Sequence, residues 1–178
     1  MNAPLPPGAP LPPQAPRFRL TTLAYVRRGD HTLMLERRAR PGDLHGGRWN
    51  GLGGKFQPGE RPETCLAREV REEAGIEVET ARFKGCLTFP AFDGDVDVYS
   101  FVYLVTRFRG EPLREGPEGR LHWVPTARLS ELPLWEGDRV FLPWLDRPGV
   151  FSAELRYEAG RFVGFDVHHY DMSDSTVA

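Results

Sequence analysis

Alternation of apolar and polar positions dominates the chain, and one stretch breaks it. "RLTTLAYVRR" and "HTLMLERR", on either side of Gly29-Asp30, repeat every second residue and predict two strands joined by a tight turn. The same period returns in "EVETARFKGCLTFPAF" and "VDVYSFVYLVTRF" about the turn "FDGD". It returns again in "LHWVPTARL", read as a short strand and a turn, and in "FSAELRYEAGRFVGFDVHHY", a terminal hairpin about "EAGR". Residues 62–74 instead follow the helical period: Leu66, Ala67, Val70 and Ala74 share one stripe, Pro62 suits the first turn and Gly75 stops the helix. "SELPLWEGDRVFLPWLDR" predicts a second helix bounded by prolines. "ARPGDLHGGRW" and "RGEPLREGPEGR" read as loops by their Gly and Pro content.

The ends carry neither period. Residues 1–16 hold seven prolines and predict a disordered or polyproline-like arm. The expected organisation is an arm over 1–17, one domain over 18–170 and a frayed tail over 171–178, with no internal repeat.

Composition narrows the function. At 178 residues, 40% apolar and 27% charged, the chain is a globular domain long enough for a full core. No apolar run is long enough to span a membrane, and the first residues lack signal-peptide order, so the cytoplasm is the expected location. A net charge of -2, spread evenly, argues against a broad basic face for duplex nucleic acid. A phosphate substrate would need metal ions or a few placed cations. Cys65 and Cys86 lack metal-site spacing and read as small buried residues rather than a disulfide. Lys55 and Lys84 are the only lysines, Asn2 and Asn50 the only asparagines, and Ile76 the only isoleucine. Three of these five rare residues fall in one segment, 49–78.

That segment also concentrates glutamate. On the helix, Glu72 and Glu73 lie within roughly 60° of Glu69 at about 100° per residue. Like charges so placed repel, which disfavours the helix unless something positive sits among them. A solvated acidic face is one reading. Clustered carboxylates for Mg²⁺, a hard cation shared with substrate phosphates, is the other.

Spacing decides between them. Gly54, five residues, Glu60, seven residues, then Arg68-Glu69-Val70-Arg71-Glu72-Glu73-Ala74-Gly75-Ile76 match every place of the pattern G-x5-E-x7-R-E-U-x-E-E-x-G-U, U being bulky aliphatic. Chance would produce this on the order of once in several million windows. The chain thus resembles the Nudix hydrolases. The resemblance implies an α/β fold, an α/β/α sandwich with a mixed β-sheet and a catalytic loop–helix–loop, and Mg²⁺-dependent hydrolysis of a nucleoside diphosphate linked to another group, with Mn²⁺ a possible substitute. By position, Glu69 and Glu73 would ligate metal with the Gly54 carbonyl. Glu72 would be a third ligand or a base, Arg68 would hold a catalytic glutamate, and Glu60 would lie near the metal or fix the loop.

Residues outside the box would choose the substrate. "GGRWNGLGGKFQPGE" is similar to the same stretch in mammalian-type 8-oxo-dGTP diphosphatases, and the likeness runs more weakly through "PEGRLHWV" and "LPLWEGDRVFLPWL". It implies that Asn50 contacts the purine, although a turn-former is its plainer reading. Trp135 and Phe89 would line the base pocket or serve as core. Glu118 would be a further ligand or base, or a solvated charge. Lys55 would reach phosphate or cap the loop. That family's "W-P-D-D" becomes Trp135-Glu136-Gly137-Asp138 here, so Asp138 matches and Gly137 does not, unless Glu136 compensates. Leu44 replaces an aromatic and implies a roomier mouth. His168 and His169 read as surface residues on opposite faces of a strand. The implied function is hydrolysis of an oxidised purine nucleoside triphosphate to monophosphate and pyrophosphate. Ordinary triphosphates, dinucleoside polyphosphates or nucleotide sugars are the alternatives. A non-catalytic sensing module is disfavoured because every metal carboxylate is kept. Oligomeric state stays open between monomer and small homo-oligomer.

Overall fold

The computed structural model describes residues 17–39 and 46–171. The expected proline-rich arm over 1–16 and the tail from 172 onward lie outside the described residues. Eight strands, β1 (Arg17–Arg28), β2 (His31–Arg37), β3 (Trp49–Asn50), β4 (Glu77–Asp93), β5 (Val96–Arg109), β6 (Gly119–Pro125), β7 (Val150–Glu158) and β8 (Arg161–Tyr170), form one mixed sheet. Its order is β3-β2-β1-β5-β4-β7-β8, with β6 also paired to β2. β1 runs parallel to β5 and β4 parallel to β7, while β1–β2, β4–β5 and β7–β8 are antiparallel neighbours.

Both faces of this sheet are buried, and the period of two explains how. From β1, Ala24 and Val26 point to one side while Tyr25 points to the other; from β2, Leu33 and Leu35 oppose Met34; from β5, Tyr103 and Val105 oppose Val102 and Leu104. The helix α1 (Pro62–Ala74) covers the first side with Leu66, Val70 and Ala74. The other side is covered by Phe141, Leu142, Trp144 and Leu145, from the short helix α2 (Glu136–Phe141) and the 3-10 turn after it. Helix, sheet and helical turns make an α/β/α sandwich.

Helix α1 keeps its expected bounds. Gly75 adopts φ 70° and its N–H donates to the Arg71 carbonyl at 2.9 Å, the left-handed stop that glycine permits. Its packing stripe differs from expectation: Ala67 is exposed, and Cys65 is buried in its place. The buried face is therefore rotated toward Glu73, which is itself buried.

The second expected helix is broken. Residues 130–147 form the end of a 3-10 turn (Thr126–Glu131), the six-residue α2 and a second 3-10 turn (Leu142–Asp146). Pro133 and Pro143 cannot donate the backbone hydrogen bonds a continuous helix would need. Asn50, expected just past a loop, sits in the two-residue strand β3, paired to Leu35. Cys65 and Cys86 are both free thiols. His168 is exposed and lies against Tyr170, whereas His169 packs on Trp144 and Phe151. No helix among the described residues is long and apolar enough to cross a membrane.

Candidate active site

A cleft of about 640 Å³ opens beside the N-terminal half of β1 and runs from the face of α1 to the start of α2. Glu69, Glu73 and Glu118 line one end with Gly54 and Lys55. Asn50, Phe89, Trp135 and Asp138 line the other. Nine of the thirteen residues singled out from sequence thus meet in one cavity. Arg68, Glu60 and Glu72 stand outside its lining, and Leu44 lies outside the described residues.

The carboxylate end is built from a loop laid along β1. Ala24 and Leu52 exchange backbone hydrogen bonds at 2.6 and 2.9 Å, Thr22 N–H donates to the Gly54 carbonyl at 2.9 Å, and Phe56 N–H reaches Leu20 at 3.1 Å. Only glycine fits in this contact. A Cβ on Gly53, at φ 133°, would lie 2.2 Å from the Thr22 carbonyl oxygen, and one on Gly54 would lie 2.6 Å from the Glu69 carboxylate. The Gly54 carbonyl, expected among the metal ligands, is turned to Thr22, with Cys65 Sγ at 3.7 Å. What Gly54 gives the cleft is room for Glu69.

Arg68 is the positive group among the glutamates. Its Nε and Nη2 grip Glu60 at 2.7 and 2.9 Å, Nη1 reaches Glu69 at 2.8 Å and Glu72 at 3.2 Å, and Nη2 also donates to the Lys55 carbonyl at 3.0 Å. The two-pronged pair therefore goes to Glu60, whose carboxylate also accepts the Gln57 N–H at 2.8 Å and so closes the loop. Arg68, then Gln57, hold Glu60 down to about 2, and the same pairing raises Arg68 further. Glu72 is half exposed and does not line the cleft, and Lys55 is exposed at its rim.

Glu73 is the exception among these acids. It is 5% exposed, its Oε2 accepts the Gly53 N–H at 2.7 Å, and burial pushes its carboxyl up to about 8. Glu118 and Glu69 push the same way, while the Gly53 hydrogen bond and Arg37 oppose. Glu118, from the turn before β6, is held by Arg37 at 2.6 Å. Sequence reasoning passed over Arg37, which follows the apolar run of β2 as one of several surface arginines.

Among the described residues no three His, Cys, Asp or Glu side chains converge at metal-ligating distance, because Arg68 and Arg37 draw Glu69 and Glu118 aside. The donor chemistry nevertheless suits a hard divalent cation. Three carboxylates share one cleft, and the buried one is raised by its burial first and by the charges of the other two after it.

The base end is aromatic. Trp135 stands just before α2 with the Arg48 guanidinium 3.9 Å above its ring centre. Phe92 meets Phe89, Trp135 and Tyr157 at centroid distances of 5.5, 5.7 and 5.3 Å, and Trp135 meets Tyr157 edge-on at 5.6 Å. Asp138, in the first turn of α2, is buried, and burial raises its carboxyl to about 7 against a backbone hydrogen bond at Trp135 and the charges of Arg139 and Arg48. Glu136 is exposed and does not line the cleft, so it does not compensate for Gly137. Phe92, Tyr157 and Arg48 were not found from sequence, since an aromatic on a strand reads as core and a loop arginine as surface.

Known proteins are similar to this chain in sequence and in fold. The NUDIX domain model matches residues 17–145. Over 140 residues the chain is 30% identical to the oxidized purine nucleoside triphosphate hydrolase of Danio rerio, covering 78% of this chain and 86% of that protein. It is 32% identical over 119 residues to the Nudix hydrolase YvcI of Bacillus subtilis, covering 65% and 72%. Among solved structures, the mutator MutT protein from Bacillus halodurans superposes with a TM-score of 0.74 at 27% identity, covering 84% of this chain and 97% of that one. With Gly54, Glu69 and Glu73 of the complete sequence motif lining one cleft and a family match over most of its length, this chain belongs to the Nudix family and is a hydrolase of pyrophosphate bonds.

Proposed function

We propose that the chain hydrolyses purine nucleoside triphosphates, oxidised ones such as 8-oxo-dGTP among them, to the monophosphate and pyrophosphate. One observation carries this reading: a single cleft joins a carboxylate end to an aromatic end with a buried acid, Asp138. The similarity to the Danio rerio hydrolase, whose name specifies oxidised purine triphosphates, supports the same substrate class.

Glu69, Glu73 and Glu118 would hold Mg²⁺, or Mn²⁺ in its place, with Glu72 and Glu60 held near them by Arg68. Bound there, the ion offsets phosphate charge and makes water a better nucleophile. The chain's own groups do the rest. Water adds to phosphorus, the α–β anhydride bond breaks, and pyrophosphate departs. Glu118, which lines the cleft, accepts the water proton. Arg68 fixes Glu69 from the side, Lys55 at the rim meets the phosphates, and Trp135, Phe89 and Phe92 form an aromatic wall against the base while Asn50 and Asp138 meet its polar edge. Purification of the precursor pool is the use that fits such a reaction.

The test is a product assay with Mg²⁺ on 8-oxo-dGTP, dGTP, 2-hydroxy-dATP, a dinucleoside polyphosphate and ADP-ribose. Monophosphate and pyrophosphate from the purine triphosphates is the expected result. Faster turnover of the dinucleotide or ADP-ribose would leave only the family's reaction standing. Gly137 favours one narrower variant, in which ordinary dGTP is turned over as well as its oxidised form.

A further inference from the structure

Gly137 has no side chain, yet the space beside it is not vacant. A Cβ on Gly137 would meet the Tyr157 hydroxyl oxygen at 2.6 Å and Leu155 at 3.2 Å. That hydroxyl, from β7, accepts the Gly137 N–H at 2.8 Å. The tyrosine ring is held from four sides by Phe89, Phe92, Trp135 and Phe162, so the oxygen has little freedom to move. Tyr157 lines the cleft beside Asp138. Burial of the phenol pushes it up to about 12, so it keeps its proton throughout the physiological range. With its oxygen already accepting from Gly137, the group has a proton to give. Beside it, the buried Oδ2 of Asp138 has no hydrogen-bond partner among the described residues.

We infer that Tyr157 is a specificity-determining residue that reads the base in place of a side chain at Gly137, and that with Asp138 it selects a guanine-type edge. The inference rests on the purine reading given above and deepens it. A hydroxyl donor next to a carboxylate acceptor complements an edge that presents a carbonyl oxygen beside ring and amino N–H groups. Adenine presents its amino donor and ring acceptor in the opposite order. With the phosphate held at the carboxylate end, where Lys55 and the cation of the proposed reaction would meet it, the base cannot reverse itself to suit. Two acids at this place would lack a fixed donor; one acid and one phenol always have it.

The experiment measures binding rather than turnover, so it is separable from the hydrolysis. Affinities of the full chain for dGMP, dAMP and the 2-aminopurine deoxynucleotide, which lacks the 6-oxygen, are measured by calorimetry at pH 8. Wild type should bind dGMP about tenfold or more tightly than either of the others. Tyr157→Phe keeps the ring and should cut that preference about threefold to tenfold, with dAMP affinity nearly unchanged. In the double variant Gly137→Asp/Tyr157→Phe, the guanine preference should stay low, because a carboxylate restores bulk and not the donor. The 2-aminopurine nucleotide lacks the 6-oxygen and the N1 proton together, so on wild type it reports the Tyr157 and Asp138 contacts jointly, and Tyr157→Phe isolates the first. Equal weakening of all three ligands by Tyr157→Phe would assign the residue a packing role and overturn the inference. An adenine preference in wild type, or no measurable dGMP binding, would overturn it too. Guanine-selective binding without triphosphate hydrolysis would instead sink the proposed reaction and leave this inference standing.

Discussion

The two ends of the cleft are built on opposite plans. The carboxylate end comes mostly from one run of about two dozen residues, in which Arg68 bonds to Glu60, Glu69 and Glu72, and only Glu118 with its partner Arg37 joins it from elsewhere. The base end draws on β3, β4, the start of α2 and β7, with Asn50, Phe89, Trp135, Asp138 and Tyr157 far apart in the chain. The first is an ionic lattice with one buried acid at its edge. The second is an aromatic box with one buried acid inside it. Chemistry common to a family can reside in a contiguous segment, because loop and helix geometry alone fix its charges. Selectivity lives where several elements converge, and there it can change by single substitutions such as the glycine at 137.

Glu73→Gln should break the first end most severely. Loss of one preorganised charge in such a site costs on the order of a hundredfold or more in kcat. The same change should stabilise the metal-free protein. A carboxyl at about 8 when folded and 4.5 when unfolded favours the native state only while protonated, so stability falls as pH rises through that window. At pH 9 in chelator, thermal melting of Glu73→Gln should exceed wild type by at least about 2–4 °C, the shift of ~1 kcal/mol in a chain of this size. Full activity in this variant would remove Glu73 from the reaction.

Arg68→Ala tests whether the lattice acts as a unit. Freed from Arg68, the loop carboxylate Glu60 and the helix carboxylates Glu69 and Glu72 lose their common partner, and Mg²⁺ titrations of activity should shift by about 10–100-fold. An unchanged Mg²⁺ dependence would confine Arg68 to stability.

At the other end, Trp135→Ala should raise KM for purine triphosphates about tenfold, as stacking on one base contributes roughly 1–3 kcal/mol, with a smaller change in kcat. A fall in kcat alone would place Trp135 in the frame of the reaction rather than under the base.

The smallest effect is a pH profile. Asp138 is raised to about 7, so it becomes a full acceptor only above neutrality, and KM for guanine-type substrates should fall severalfold as pH rises through 7. Asp138→Asn should flatten that dependence. Because the raised carboxyl is favoured protonated, Asp138 also lowers native stability as pH climbs from about 4 to 7, and the asparagine variant should lose that slope in melting curves.

Much of this molecule is legible in its sequence. The strands of the two outer hairpins, helix α1 and its Gly75 stop follow from local periodicity and cap chemistry, which depend on neighbours in sequence. The glutamate lattice was legible for the same reason, since a helix fixes which residues share a face. Legibility failed where distant segments compete. Ala67 and Cys65 exchanged places because the sheet decides how far α1 is rolled. Two prolines broke the second helix into turns that still bury Phe141 and Trp144.

The sequence by itself determined the reaction class, through charges whose spacing along one loop and helix is fixed by local geometry. Only the tertiary structure decided that Arg37 holds Glu118, that Glu73 rather than Glu69 or Glu72 is buried, and that the Tyr157 hydroxyl fills the space left by Gly137. Each of these depends on strands brought together across the sheet, where contact is set by packing and not by separation along the chain.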